Sequence, residues 1–345
     1  MTDLLGDVLR RTSRTFYLSL AILPRPLREP IGLAYLLARA TDTVADTRLV
    51  QRSERLAHLR TLRTAYLGSP ADVDAVGRAC APHQNLAAER ELLTRVAEAL
   101  ARVDRLPAAD RDAVRGVLAT ITDGQLFDLE RFPGEDAATL GALETSDDLD
   151  RYTYLVAGCV GEFWTVLHRA HRPRLARWDG AAMSARGVRF GKALQLTNVL
   201  RDVPADLGHG RCYIPARDLA AVGLVPRDLL DRKATPRARP VLDRWLATTL
   251  AHYDEAWRYT LAIPRAEWRM RLACAWPLLI GVATLATVSA HPDPLAAERP
   301  IKISRRAVRA ILARSMVTVW SDAALRAEAA RLSSPLRGLR GERTV

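Results

Sequence analysis

Two aspartate pairs carry most of the chemistry within reach of this sequence. In Gln195-Leu-Thr-Asn-Val-Leu-Arg-Asp-Val-Pro-Ala-Asp206 the polar residues Gln195, Asn198, Asp202 and Asp206 recur at three- and four-residue steps, which puts them on one face of a helix. Arg39-Ala-Thr-Asp-Thr-Val-Ala-Asp46 repeats the device with Asp42 and Asp46, again beside an arginine. Carboxylates one turn apart repel by roughly 0.2–0.5 kcal/mol even on an isolated helix, and in an apolar neighbourhood they invite a cation between them. An all-oxygen ligand set points to Mg²⁺, which keeps several waters and binds through one or two carboxylates together with substrate phosphates. If the two helices oppose one another across a cavity, four carboxylates hold a small Mg²⁺ cluster, and Arg39 and Arg201 receive diphosphate oxygens bidentately.

The elements that must position these residues are helical. Ala, Leu and Arg dominate the 345 residues, and no long alternating Val/Ile/Thr run suggests a strand. The pattern predicts helices over 4–22, from the prolines at 24, 26 and 30 to Asp46, and over 50–66, 86–104 and 108–131. Further helices are expected over 152–161, from 189 into the second Asp pair, over 236–262, and through the apolar stretch that contains Cys274. Pro204 predicts a kink or an early end in the helix of the second pair. Ile31, Leu33, Ala34, Leu36 and Leu37 make the helix of the first pair apolar on most sides, so Asp42 and Asp46 are costly there unless paired or metal-bound. With 49% hydrophobic residues the chain can bury a large core. One all-α domain over 1–345 is expected, its core at about 10–315 and an Arg- and Ala-rich tail over 316–345.

The net charge of +12 comes almost entirely from arginines scattered along helices, with lysine only at 192, 233 and 302. That distribution reads as solvated helix faces, with anionic substrates or lipids as the partners it favours. No reader motif or aromatic-interleaved basic stripe is present, which argues against nucleic acid. Cys80, Cys159, Cys212 and Cys274 show no Cys-x-x-Cys spacing, so neither a zinc site nor a disulfide framework is indicated. Asp3 and Asp7 precede Arg10 and Arg11, unlike a signal peptide, and no uninterrupted apolar run reaches about 18 residues. The expectation is a cytoplasmic protein, monomeric or weakly dimeric, with peripheral contact to a membrane surface.

The two Asp-x-x-x-Asp segments, Tyr152-Thr-Tyr-Leu-Val-Ala-Gly-Cys-Val-Gly161 between them and Ser13-Arg-Thr-Phe16 near the start together resemble the squalene/phytoene synthase family, whose members join two prenyl diphosphates head to head. The resemblance implies an isoprenoid-synthase fold around a central apolar cavity. It implies Asp42, Asp46, Asn198, Asp202 and Asp206 as Mg²⁺ ligands, and Ser13, Arg14 and Phe16 in a lid over the diphosphate. Tyr35, Arg39, Gln195, Arg201, Arg211 and Tyr213 become substrate contacts. Tyr152 matches a tyrosine facing the reacting carbons, where a phenol steadies a passing carbocation through its π face and helps relay the proton lost on ring closure. Asp123-Gly-Gln-Leu-Phe-Asp128 matches a Gly and acidic segment lining the prenyl pocket, although Asp128 is equally well explained as the structural partner of an arginine.

Cys274-Ala-Trp-Pro277 resembles a segment that lines the pocket for the second half-reaction of squalene synthases. Lys302, within Ile301-Lys-Ile303, matches a lysine near the phosphates of the nicotinamide cofactor, and Asn198 joins it on the cofactor side. The resemblance therefore implies a squalene synthase using two farnesyl diphosphates, Mg²⁺ and NADPH. Three positions depart from the pattern: Ala45 and Ala205 stand where relatives often carry Glu, and Ala273 where squalene synthases carry an aromatic residue, for which Trp276 is expected to compensate. The rivals are a non-reducing synthase giving dehydrosqualene, phytoene, hydroxysqualene or presqualene diphosphate, and an inactive helical assembly factor.

Overall fold

The computed structural model describes residues 3–13, 17–295 and 301–340. In chain order the helices are α1 (Leu9–Ser13), α2 (Tyr17–Ala21), α3 (Arg25–Asp46), α4 (Arg52–Tyr66), α5 (Val73–Cys80), α6 (Ala87–Leu93), α7 (Val96–Asp104) and α8 (Ala108–Arg131). They continue with α9 (Ser146–Thr153), α10 (Cys159–His171), α11 (Gly180–Gly208), α12 (Ala216–Ala220), α13 (Thr235–Ala262), α14 (Trp268–Ser289), α15 (Arg305–Thr318) and α16 (Asp322–Leu332). Single π-helical turns occur at Leu4–Val8 and Tyr154–Gly158. Two short parallel strands, β1 (Gly141–Ala142) and β2 (Arg211–Cys212), pair Gly141 with Arg211 and Ala142 with Cys212. The all-α expectation holds, and the helix over 108–131 keeps its boundaries. The helix expected over 86–104 is instead two, α6 and α7, because Thr94 turns its hydroxyl onto the Glu91 carbonyl at 2.9 Å and competes with the backbone ladder. Nor does α11 end at Pro204. The proline removes one backbone donor, and a helix of 29 residues has enough flanking bonds to span the gap.

The chain folds into two compact units, each with its own core. The first comprises Met1–Glu130 with Cys159–Ser184. Its axis is α3, which packs on α4, α6, α7 and α10 and buries Leu27, Ile31, Leu33, Leu36, Leu37, Ala40 and Val44. Each large apolar side chain contributes roughly 1.5–3 kcal/mol on full burial. Two polar anchors fix the end of α3 that carries the aspartates. The Tyr66 hydroxyl donates to the Leu37 carbonyl at 3.1 Å and lies 2.9 Å from Thr41 Oγ1. Arg55, 1% exposed, donates through Nη1 to the Ala45 carbonyl at 2.7 Å, which places a cation at the negative end of the helix dipole.

The second unit comprises Arg131–Gly158 with Ala185–Val345. Its core is α14, packed by α13, α15 and α16. The stretch Arg265–Ser289 is long and apolar enough by composition to cross a membrane, yet 72% of its most apolar window is buried inside the protein. Gly281 lets α13 and α14 close up, since a Cβ there would lie 2.0 Å from the Tyr253 hydroxyl. Gly191 does the same for α11 and the π-turn, where a Cβ would meet the Ala157 carbonyl oxygen at 2.1 Å. Ala157 and Gly158 thus mark the point where α11 comes closest to the π-turn. Within the Arg- and Ala-rich stretch after residue 316, α16 and the 3₁₀ turn Ser334–Arg340 pack on α14, with Leu325 and Leu336 fully buried. Glu328, buried at 3%, is compensated by Arg314 at 3.0 Å and Arg331 at 2.7 Å.

Candidate active site

In the first unit, α3 presents Tyr35, Arg39, Asp42 and Asp46 at i, i+4, i+7 and i+11, which is one helical face. Asp42 is half-buried and Asp46 exposed. Gln125 of α8 donates through Nε2 to Asp42 Oδ1 at 2.6 Å. Burial first, and the charge of Asp46 second, push the Asp42 carboxyl up to about 7, against the opposing pull of Arg39 and Gln125. Arg39 is ion-paired to Glu89 of α6. Burial works against its charge, but the hydrogen bond and field of Glu89, then the fields of Asp42 and Tyr35, hold its pKa above the usual arginine value. Arg39 Nε is nevertheless buried without a hydrogen-bond partner among the described residues. The face therefore has a carboxyl raised by burial beside a second acid, and a donor without an acceptor among the described residues. Ser13 is buried at the end of α1 with its hydroxyl donated to the Leu9 carbonyl. Arg14 and Phe16 lie outside the described residues.

In the second unit, α9 supplies Tyr152, α11 supplies Gln195, Asn198, Arg201, Asp202 and Asp206, and β2 with its exit supplies Arg211 and Tyr213. A chain of long hydrogen bonds links four of them. Asn198 Nδ2 donates to Gln195 Oε1, Gln195 Nε2 to the Tyr152 hydroxyl, and that hydroxyl to Tyr213, each at 3.4 Å. The rings of Tyr152 and Tyr213 stack with centroids 4.8 Å apart and planes at 24°, and Phe132 meets Tyr213 edge-on at 5.1 Å. The π-turn begins directly after α9 and re-aims the chain at that point. Gly210, at φ +76°, makes the tight exit from α11 that lets β2 pair with β1. Asp206, Arg211 and Tyr213 consequently line one cleft with Val199, Val203 and Ile214. Burial, with a smaller push from Asp206, raises the Cys212 thiol beside them to about 12, so it stays neutral. Arg201 folds back onto its neighbour Asp202, with Nε 2.8 Å from Oδ1 and Nη2 on Oδ2. Asp202 of the second pair thus has a counter-ion from its own helix.

The donor sets suit Mg²⁺. Among the described residues no group of three or more His, Cys, Asp or Glu is close enough to form a complete protein cage. Mg²⁺ does not require one, because one or two carboxylates, waters and substrate phosphates complete its shell. The raised Asp42 carboxyl and the unpartnered Arg39 Nε are what a divalent cation with a bound phosphate oxygen would satisfy.

The segments expected to serve a nicotinamide cofactor are less well supported. Cys274 is buried on α14 and Pro277 is half-buried beside it. Trp276 does not replace the aromatic missing at Ala273. Its indole Nε1 donates to Ser315 Oγ at 2.7 Å, which commits the ring to packing against α15. Lys302 is exposed just before α15 and has no ion-pair partner among the described residues. Three neighbours of the site escaped the sequence reading: Gln125 on Asp42, Glu89 on Arg39, and Lys192, which donates to Asp150 at 2.6 Å and lies 5.9 Å from the Tyr154 ring centroid. Gln125 falls inside the Gly and acidic segment over 123–128, which was the one available signal.

The profile of the squalene/phytoene synthase family matches residues 9–307. A presqualene diphosphate synthase of Rhodopseudomonas palustris is 32% identical over 247 residues, covering 70% of this chain and 72% of the relative. A 15-cis-phytoene synthase of Synechocystis is 29% identical, covering 77% and 71%, and a squalene synthase of Schizosaccharomyces pombe 25%, covering 83% and 59%. Among solved structures, TcSQS in complex with the ligand E5700 superposes with a TM-score of 0.76 at 22% identity over 97% of this chain and 95% of that one. A dehydrosqualene synthase in complex with ligand gives 0.62 at 22% identity, over 91% and 95%.

Proposed function

Since the chain belongs to the squalene/phytoene synthase family, we propose that it joins two farnesyl diphosphates head to head into presqualene diphosphate. The observation that carries this reading is the unsatisfied face of α3, where a raised carboxyl beside a second acid and a buried, unpartnered arginine donor call for a cation and an anion together. Asp42, Asp46, Asp202 and Asp206, with Asn198, are the proposed metal ligands. Mg²⁺, when bound, neutralises the diphosphate that departs. Arg39 Nε, Arg211 and Tyr213 take diphosphate oxygens and fix the C1–O bond that breaks.

The bond breaks with its electron pair leaving on the diphosphate, and the allylic carbon is attacked by the C2–C3 double bond of the second substrate. Loss of one proton closes the cyclopropane, so two substrates give presqualene diphosphate, free diphosphate and a proton. The stacked rings of Tyr152 and Tyr213 offer π faces to the cation. The Tyr152 hydroxyl accepts from Gln195 Nε2 and donates to the Tyr213 hydroxyl, so the proton's route away from the cation runs through the two hydroxyls.

A second reading continues the reaction to squalene. NADPH, when bound, supplies the hydride for that step, with Lys302 as the contact to its phosphates and Cys274 and Pro277 along the pocket. Lys302, exposed and without an ion-pair partner among the described residues, favours it; Ala273 and the committed Trp276 favour release of presqualene diphosphate. The test is product analysis of the purified protein with farnesyl diphosphate and Mg²⁺, with and without NADPH. Presqualene diphosphate in both tubes supports the first reading, and squalene formed only with NADPH the second. No C30 product in either tube overturns both, and a C40 product from geranylgeranyl diphosphate would move the chain to the phytoene branch.

A further inference from the structure

A cleft of about 750 Å³ lies in the second unit, lined by α13, α16, the 3₁₀ turn after it and the start of α11. Its polar rim is dominated by arginines: Arg186, Arg258, Arg326 and Arg337, with Asp254 as the acid in the lining. Glu255 ion-pairs with Arg258 at 2.6 Å and with Arg186 at 3.6 Å. Arg326 and Arg337 have no carboxylate partner among the described residues. That sets them apart from Arg314 and Arg331 on the same C-terminal segment, which share the buried Glu328. The floor is apolar, formed by Trp257, Leu261, Val282 and Ala329.

This cleft is separate from the candidate active site. Arg186 precedes Asp202 by sixteen residues on α11, about 24 Å along a helix that rises 1.5 Å per residue. Its C-terminal wall, Arg326 to Arg337, lies beyond residue 307, where the family match ends. A concave surface with several cationic groups concentrates anions. Guanidinium forks match phosphate oxygens bidentately. An indole and three aliphatic side chains beneath them accommodate a short apolar body attached to that phosphate.

We propose that the cleft is a second ligand site, for a phosphorylated amphiphile held by Arg326 and Arg337 above the Trp257 floor. The ligand is either a free prenyl phosphate or the headgroup of an anionic phospholipid. Binding needs no metal, because the charge is met by arginines, and this separates it experimentally from the Asp pairs.

The full chain is titrated calorimetrically with geranyl monophosphate in EDTA, which silences Mg²⁺-dependent binding. One saturable site is expected, weakened at least tenfold in Arg326→Ala and in Arg337→Ala, with inorganic phosphate at least tenfold weaker than geranyl monophosphate for want of the floor contact. In a parallel arm the chain is sedimented with vesicles of phosphatidylglycerol and phosphatidylcholine. Vesicle binding lost in the same variants, without a response to geranyl monophosphate, supports the site and assigns the bilayer as the source of the phosphate. Both residues are exposed and outside the catalytic assignment, so the variants should fold and retain turnover. Binding absent in both arms, or indifferent to both substitutions, overturns the proposal whatever product the enzyme makes.

Discussion

Replacing Asp42 with Asn should stabilise the metal-free protein while removing its turnover. In the unfolded chain this carboxyl ionises near its ordinary 3.8, and in the fold near 7, because burial and Asp46 oppose its charge. Between those values the folded protein holds a proton that the unfolded chain has released. Stability therefore falls as pH climbs through that window and stays low above it. At about 1.4 kcal/mol for each tenfold change in proton affinity, the full cost at pH 8 is on the order of 4 kcal/mol. Asp42 is half-buried and can lean towards water, so about 2–4 kcal/mol is the expected gain from Asp42→Asn, whose side-chain oxygen still accepts the Gln125 hydrogen bond. At roughly 2–4 °C per kcal/mol for a large domain, the variant should melt about 4–12 °C above wild type at pH 8 in EDTA, and the two should converge towards pH 4. Adding Mg²⁺ with inorganic diphosphate should close the gap from the wild-type side, because the bound cation then offsets the charge that the substitution removed. Equal melting temperatures at pH 8 in EDTA would refute the claim that this face is electrostatically incomplete, and with it the main support for a metal there.

Three further outcomes follow from the same geometry. Asp202→Asn should abolish product formation from farnesyl diphosphate while leaving the far-ultraviolet circular dichroism unchanged, since Arg201 loses one ion pair at a partly exposed position. Gln125→Leu removes a group that orients a proposed ligand without touching the metal, so the Mg²⁺ concentration for half-maximal rate should rise roughly 10–100-fold; an unchanged Mg²⁺ requirement would show that Gln125 only fills space. Gly191→Ala puts a Cβ 2.1 Å from the Ala157 carbonyl oxygen, and the forced separation of α11 from the π-turn should cost about 1–3 kcal/mol in thermal or denaturant unfolding.

Legibility in the sequence followed the range of the interaction. Periodicity along one helix placed Gln195, Asn198, Asp202 and Asp206 on a common face, and the same rule worked for Asp42 and Asp46, because a helix fixes its own register without reference to anything distant. Gln125 reaches Asp42 across 83 residues of chain, and nothing local to either residue announces that bond. Composition says little about the C-terminus: a stretch rich in alanine and arginine does not announce that Leu325 and Leu336 are buried against the core or that Glu328 is drawn inside by two arginines. Neighbours on a helix do not face each other, so spacing alone offers no reason to pair Arg201 with Asp202; the long arginine side chain does so by folding back. That last contact makes the two aspartate motifs unequal, although their sequences look alike. Asp202 already has an internal counter-charge, while among the described residues Asp42 meets an amide and an arginine engaged by Glu89. Cation demand should therefore be stronger at α3, and a metal titration of the two Asn variants should find the larger loss of affinity in Asp42→Asn.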